Sequence, residues 1–412
     1  MLDEQTWNHL LKTIKGKIMA PKQEEQEQVW YSTGCDVLDC NVGGGVGLGF
    51  PGGKVINIVG DSSSGKTLLA WEIIASAVHR YKGKLKKILN DAEYGNTFDP
   101  ELMYGIKMAE DEIIHSRTVE DMFCHYKLWL EELQPDDVGI YIVDSLDGLT
   151  SEENEKRAED RVKVYSGTKK KMEGSYQMGA AKFLSQEFFK GVTEATSKKN
   201  VLLIIISQTR QNIDPFSFED KVRSGGEALN FYAHTCLWLA NIKKFKKKEL
   251  VYGVYVRAKT KKSKTPRPYR VSEFPILFDY GIDNIGANVD FLWELRTETG
   301  DLAKDKMCLW NGIEPTVANL TAIIKESDTW EAFTKAYGKS AAKKSDLSAF
   351  IDKDPDAKKL YDKKIGKALT RDEMIKWVEE NNKQKELSNK VFMKWESLEA
   401  EVKSDRKAKY GN

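Results

Sequence analysis

The sequence predicts an α/β fold, a mostly parallel sheet with helices on both faces. Two observations carry that expectation. Short apolar runs rich in β-branched residues, at 55–59, 86–90, 138–143 and 201–206, alternate with stretches of helical apolar spacing. Each run also ends in a polar or glycine-bearing motif, and open parallel sheets gather their ligand groups at the carboxyl ends of their strands.

The first run opens the most specific stretch of the chain. After Val55, Ile56, Ile58 and Val59 come Gly60, Asp61, Ser62, Ser63, Ser64, Gly65, Lys66 and Thr67, a G-x-x-x-x-G-K-T phosphate loop. Leu69, Ile73 and Ala77 then recur at helical spacing, so a helix follows the loop. Glycines at both ends let successive backbone N–H groups point inward at phosphate oxygens, and the helix N-terminus adds partial positive charge. Lys66 is placed to reach the β- and γ-phosphates, and the Thr67 hydroxyl to ligate Mg²⁺. The expectation is a site for ATP with Mg²⁺.

The second run leads to Asp91-Ala92-Glu93, and an amphipathic helix (Met122, Tyr126, Trp129, Leu130) separates it from the third, which delivers Asp144-Ser145. An apolar strand ending in Asp is what the Mg²⁺-side acid of a phosphate-loop enzyme requires, so Asp144 joins Thr67 as a metal candidate. Residues 151–177 show little apolar periodicity, with a helix expected from near Met178. The fourth run ends in Ser207-Gln208, and a further helix and strand are expected over 226–240.

Two basic stretches follow the same core. Residues 161–182 hold six basic side chains against the single acid Glu173, and 242–270 hold twelve against Glu249. Alternation at Val251, Gly253, Tyr255 and Arg257 places the second on a hairpin. Beside a nucleotide site these stretches point to a polyanion partner. The net charge of +1 leaves such binding to local patches.

No apolar run is long enough to span a bilayer. The first residues, MLDEQTWNHLLK, lack a secretory pattern, and five cysteines form no framework, so a cytoplasmic protein with reduced thiols is expected. Residues 3–20 read as a short amphipathic helix (Trp7, Leu10, Leu11, Ile14) suited to pack on a neighbouring subunit, with a polar linker behind it. After about Asp290 the chain turns to short helices of mixed charge.

In order along the chain, Ser32-Thr33-Gly34 with Leu38-Asp39, the phosphate loop, Asp91-Ala92-Glu93, Val143-Asp144-Ser145, Ser175 to Gly179, Ile206 to Arg210 and Ser224 to Ala233 resemble the RecA family of ATP-dependent DNA strand-exchange recombinases. The resemblance implies a RecA-like core over 31–289, preceded by an N-terminal oligomerisation segment (1–30) and followed by an α-rich C-terminal domain (290–412). It implies that Glu93 orients or deprotonates the attacking water and that Gln208 senses the γ-phosphate. It further implies that Lys262 and Lys264, flanked by Lys259 and Lys261, reach a neighbour's γ-phosphate, and that an aromatic at Tyr104 stacks on adenine.

Two DNA-binding loops are implied as well, one ending near Met178 and one from Thr209 to Gly226. Met178 and Ile213 fall on wedge positions and Arg210 on a phosphate contact. The second loop's aromatic position falls on Ser217, between Phe216 and Phe218. Lys169, Lys170, Lys171, Lys221 and Arg223 supply basic surroundings, and Gly225 and Gly226 close the loop. The implied partners are single-stranded and homologous duplex DNA, further copies of the chain in a helical filament, and single-strand-binding and loader proteins, with no membrane. A longer first loop and the ending DRKAKYGN, without an acidic tail, point toward a bacteriophage-encoded relative. Two alternatives stand beside this reading, a hexameric helicase and a non-hydrolytic recombination mediator. The Ser224 to Ala233 stretch argues against the first, and the presence of Glu93 and Gln208 against the second.

Overall fold

The computed structural model describes residues 28–95, 98–168, 179–212, 221–224, 226–265, 268–303, 306–311, 316–338, 343–364, 366, 368–404 and 406. The expected N-terminal helix over 3–20 lies outside the described residues.

In chain order the strands are β1 (Trp30–Tyr31), β2 (Phe50–Pro51), β3 (Lys54–Gly60), β4 (Leu85–Asp91), β5 (Ile113–Ile114), β6 (Val138–Asp144), β7 (Leu202–Gln211), β8 (Lys221–Arg223), β9 (Thr235–Lys247), β10 (Leu250–Ser263), β11 (Val271–Leu277) and β12 (Gly281–Ile282). β1 and β2 form a small antiparallel pair. The main sheet runs β5-β4-β6-β7-β3-β9-β10-β11-β12, with β8 off its path on β7. From β5 to β9 neighbouring strands are parallel, and β10, β11 and β12 continue antiparallel.

Strand alternation sorts one sheet into two cores. Ile56, Ile58, Ile140, Ile142, Ile204 and Ile206 face the cluster that holds Leu69, Ile73 and Ile74 of α2 (Lys66–Tyr81) together with α1 (Asp36–Gly43). Val55, Tyr141, Val143, Leu203 and Ile205 face the opposite cluster. There they meet Met122 and Tyr126 of α4 (Val119–Glu132) and Leu184 and Phe188 of a helix over 179–198 whose middle turn, Leu184–Phe188, is π-helical. Between α2 and α4 lies the short α3 (Pro100–Tyr104), capped by Asp99.

The stretch after Asp144 differs from expectation. Glu152–Tyr165 forms a helix, α5, where the sequence shows no apolar period. Its side chains are not buried, so no apolar stripe is needed. Ser151 caps it, and Glu152, Glu153 and Glu155 in the first turn suit the positive end of the helix dipole.

α6 (Asn284–Trp293) crosses the expected boundary at 289/290. The helix Gln384–Glu401 returns to the sheet, and its Val391 and Trp395 join the core that contains Ile56. Trp395 Nε1 donates to Asn41 Oδ1 at 3.0 Å, and Ser388 Oγ donates to Asp36 Oδ2 at 2.6 Å. Leu320, Ile323, Phe333, Leu347 and Ile351 form a separate cluster. Asp290 is buried and accepts from Arg371 Nε at 2.7 Å and Arg296 Nε at 3.1 Å, which locks the helix Arg371–Glu380 onto α6. Breaking one arm of a buried ion pair typically costs ~3–5 kcal/mol, and Arg296 remains. Arg371→Ala is therefore expected to lose about 3 kcal/mol, read as a lowered urea midpoint.

Candidate active site and loop stem

Backbone register assembles the site. Gly60, the last residue of β3, pairs with Gln208 of β7, and Asp91 of β4 pairs with Asp144 of β6. The phosphate loop, Glu93, Asp144 and Gln208 therefore meet at the carboxyl edge of the parallel strands.

Thr67 Oγ1 donates to Asp144 Oδ2 at 2.6 Å. Glu93 Oε1 accepts from Gln208 Nε2 at 3.0 Å and from the Ser145 hydroxyl. Lys66 is buried, and its ammonium donates to the Asp61 carbonyl at 2.7 Å. Burial lowers the Lys66 pKa, against the pull of Asp144 and Glu93. Burial raises that of Asp144, against the Thr67 hydrogen bond.

The loop is shaped for phosphate. Gly65 adopts φ 90°, in the left-handed region, and caps α2. A Cβ on Gly60 would stand 2.8 Å from the Leu239 carbonyl. Ser64 Oγ is buried without a hydrogen-bond partner, an orphan that an arriving phosphate oxygen would satisfy. Among the described residues no three His, Cys, Asp or Glu side chains gather as a metal site. A cation at Thr67 and Asp144 would take its other ligands from phosphate and water, the usual Mg²⁺ arrangement. The residues present fit Mg²⁺ with a nucleoside triphosphate.

A cleft of about 810 Å³ runs from Thr67, Asp91, Glu93 and Asp144 at one end to Phe98, Leu102, Met103 and Phe278 at the other. The acidic end suits metal and phosphate, and the apolar end suits a base. Tyr104 is absent from this lining. Its ring packs near Phe98 (centroids 5.8 Å apart) and its hydroxyl lies beside Glu72 in the interior. The adenine expectation at Tyr104 is thus corrected: α3 presents Leu102 and Met103, the two residues before it, to the cleft while Tyr104 faces inward.

The site continues into the stem of the second loop. β7 runs past Gln208 to Gln211 and pairs antiparallel with β8, with Thr209 opposite Arg223 and Gln211 opposite Lys221. Two carboxylates grip this ribbon. Asp61 of the phosphate loop accepts from Lys221 Nζ at 2.5 Å and from the Thr209 hydroxyl, and these bonds lower its pKa. Asp147 accepts from the Gln208 N–H at 2.8 Å, Arg210 Nη2 at 3.0 Å and Ser224 Oγ at 2.5 Å.

Arg223 does not stand free for DNA. It is half-buried and donates to Asn57 Oδ1 at 2.7 Å and to the Gly226 carbonyl at 3.0 Å. The buried amide of Asn57, in mid-β3, draws it inward. Lys169, Lys170, Lys171, Met178, Ile213, Phe216, Phe218 and Gly225 lie outside the described residues.

Lys262 and Lys264 sit away from this cluster. Lys262 pairs with Cys236, which lies beside Asn57, whereas Gly60 lies on the rung of Leu239 and Ala258. Three residues of β3 separate those rungs, roughly 10 Å. Lys262 Nζ donates to the Asn230 and Phe231 carbonyls at the end of the helix Gly226–Tyr232.

A family model described as the RecA N-terminal domain matches residues 7–283. The chain belongs to the RecA family. It is 31% identical over 277 residues to Protein RecA of Wolbachia pipientis subsp. Culex pipiens (strain wPip), covering 67% of this chain and 72% of the relative. It is 30% identical over 280 residues to Protein RecA of Ehrlichia canis (strain Jake), covering 67% and 71%. A crystal structure of the RadB recombinase aligns with a TM-score of 0.40 at 20% identity, over 61% of this chain and 98% of that one. No helix among the described residues of this RecA-family chain is long and apolar enough to cross a membrane.

Sequence reasoning missed Asp147 and Asn57. Asp147 lies three residues beyond Asp144, and Asn57 is the one polar side chain within an apolar strand run. A polar residue in a buried strand needs partners, and that was a readable signal. Replacing Asp147 by Ala removes three hydrogen bonds, two at the second loop's flanks. Tryptic cleavage after Lys221 and Arg223 is expected to accelerate roughly 10-fold or more, on a scale of ~1.5–3 kcal/mol per hydrogen bond to a charged group.

Proposed function

We propose that this RecA-family chain is a DNA-dependent ATPase and recombinase that forms helical filaments on single-stranded DNA and exchanges strands with homologous duplex. One observation carries the reading: the Glu93 carboxylate is hydrogen-bonded to Gln208, at the head of the second loop. A carboxylate placed for hydrolysis and a loop placed for DNA are thereby one hydrogen-bonded unit. The relatives named Protein RecA support the same reading.

In this proposal Lys66 leaves the Asp61 carbonyl for the β- and γ-phosphates of ATP. The Ser64 hydroxyl and the loop's N–H groups take further phosphate oxygens. Mg²⁺, when bound at Thr67 and Asp144, neutralises phosphate charge. Glu93 orients the attacking water or accepts its proton, with general-base assistance typically worth ~10²–10⁴ in rate. Gln208, competing between Glu93 and the γ-phosphate, reports occupancy to the ribbon.

Arg210 and Lys221, on that ribbon, contact the DNA backbone, together with the basic and wedge residues expected in the two loops. Specificity is low because such contacts fall on phosphates and stacked bases. Lys262 and Lys264, remote from their own phosphate loop, would complete the site of an adjacent copy in the filament. Residues 1–30, 31–289 and 290–412 serve as oligomerisation segment, ATPase core and C-terminal helical region, the last folding partly back on the core.

Negative-stain electron microscopy on long single-stranded DNA tests the assembly. Continuous filaments that need a non-hydrolysable ATP analogue are expected, and closed six-membered rings would move the chain to the helicase class. Lys66→Ala is expected to abolish nucleotide-dependent DNA binding, measured by fluorescence anisotropy at fixed salt. Glu93→Gln is expected to cut kcat for ATP by ~10²–10⁴ while ATP-dependent DNA binding persists. A parental hydrolysis rate in that variant would place the base elsewhere.

A further inference from the structure

Strand pairing turns one flank of the phosphate loop toward the β9–β10 hairpin. Val254 of β10 lies between Lys244 of β9 and Ile276 of β11, and cross-strand partners share a face of the sheet. Val254 and Ile276 belong to the core that holds α2, so Lys244 stands on the α2 side. Its neighbour Lys243 takes the opposite face, where it pairs with Asp301 at 2.6 Å. Asn241, three residues before Lys244, would face away from it in a regular strand. A bulge corrects this: Val256 pairs with Asn241 and Tyr255 with Lys243, which leaves Ile242 as the extra residue. Asn241 Nδ2 thereby donates to the Ser63 carbonyl at 2.8 Å and ties the hairpin to the phosphate loop. At Gly65 a Cβ would stand 2.7 Å from Ile276 Cδ1, so the same face closes on the loop.

Between hairpin and loop lies a second cavity, of about 480 Å³. Residues 63–68 form one side of it, and Val251, Val254, Ile276 and Phe278 form most of the other. The unpartnered hydroxyl of Ser64 belongs to this lining, and so does the exposed side chain of Lys244. Among the described residues no carboxylate pairs with Lys244. We propose that Lys244 is a further nucleotide-binding residue, a cation that the hairpin supplies in cis to the α-phosphate of a bound nucleoside di- or triphosphate.

The division of charge around the loop supports that assignment. In the sheet, β3 has β7, β6 and β4 on one side and the hairpin on the other. Asp91, Glu93 and Asp144 come from the first side and line the larger cleft, so Mg²⁺ and the γ-phosphate belong there. The smaller cavity has no acid in its lining, and Lys66 and Lys244 are its cations. With Lys66 committed to the β- and γ-phosphates, the α-phosphate is the anion left for Lys244. Phe278 lines both cavities, so a base at the apolar end of the larger cleft brings its α-phosphate beside the smaller one. Apolar walls strengthen the attraction of an ammonium for phosphate, because they exclude the water that would screen it. The Asn241 hydrogen bond holds the strand at a fixed distance from the loop, so binding has only the lysine stem to order.

The inference rests on reading the phosphate loop as a nucleotide site, and the test separates the two. Calorimetric titration of the full chain with Mg²⁺-ADP compares the parent with Lys244→Ala, Lys244→Arg and Lys247→Ala. The last removes the same charge from the hairpin at a residue outside the cavity lining. Lys244→Ala is expected to weaken ADP binding ~3–10-fold, the scale of a partly exposed charge-assisted hydrogen bond. Lys244→Arg should restore most of that affinity, and Lys247→Ala should match the parent. KM for ATP should rise by the same factor in Lys244→Ala with kcat unchanged, because the α-phosphate contact is made equally before and during hydrolysis. Single-stranded DNA affinity, read by fluorescence anisotropy under a saturating non-hydrolysable ATP analogue, should stay at the parental value. Equal ADP affinities in parent and Lys244→Ala, or an equal loss in Lys247→Ala, would overturn the assignment. So would a loss of DNA affinity at saturating nucleotide with ADP binding intact, which places Lys244 on a nucleic-acid surface. A parent that binds no Mg²⁺-ADP would overturn the phosphate-loop reading itself, and the role of Lys244 with it.

Discussion

The pairing of Gly60 with Gln208 across two parallel strands is the constraint on which the rest depends. It places the start of the phosphate loop one strand spacing from the start of the second loop. A slip by one residue would turn Ile204 and Ile206 toward the opposite core and exchange them with Leu203 and Ile205. Both faces of the strand are fully buried, so the two cores hold the register together. Packing energy spent deep in the sheet thereby fixes the relative position of Glu93 and Gln208 at its edge.

From that edge two connections reach the β7–β8 ribbon, and they differ in strength. Asp61 grips Lys221 across surface where both side chains are about half exposed, at 53% and 50%. Exposed ion pairs are worth ~0–1 kcal/mol and weaken with salt. Asp147 is only 11% exposed and accepts three hydrogen bonds from the same ribbon and its flanks. The Asp147 connection therefore sets the shape of the stem, while Asp61 supplies a weak, screened link that follows the state of the phosphate loop. Such an arrangement keeps the stem folded when the outer contact breaks.

How much of this was legible in the sequence depends on whether a residue acts locally. The strand–loop–helix at Val55 to Ala77 could be read because phosphate binding imposes glycines, lysine and threonine at fixed spacing. Asp91-Ala92-Glu93, Asp144 and Gln208 could be read because strand ends carry them to one edge. Tyr104 could not be placed, because one residue along a helix rotates a side chain by about 100°, and only packing against Phe98 and Glu72 decides which residue faces the cleft. Arg223 looked like a free cation because nothing local reveals that Asn57, 166 residues earlier, accepts its hydrogen bond. The helix Glu152–Tyr165 escaped notice because it rests on caps and propensity without a buried face.

The C-terminal return follows the same logic. Trp395 and Ser388 reach Asn41 and Asp36 of α1, and α1 follows Ser32 and Thr33, whose side chains hold Asp39. That turn also contains Gly34, against which Glu72 packs. The last helix thus bears on the back of the cleft through two layers of hydrogen bonds, without touching it. Buried polar links of this kind transmit position because each unsatisfied group would cost more than a small shift of its neighbour. The helix Gln384–Glu401 therefore packs as part of the unit that holds the cleft, although more than 300 residues of chain separate it from the phosphate loop.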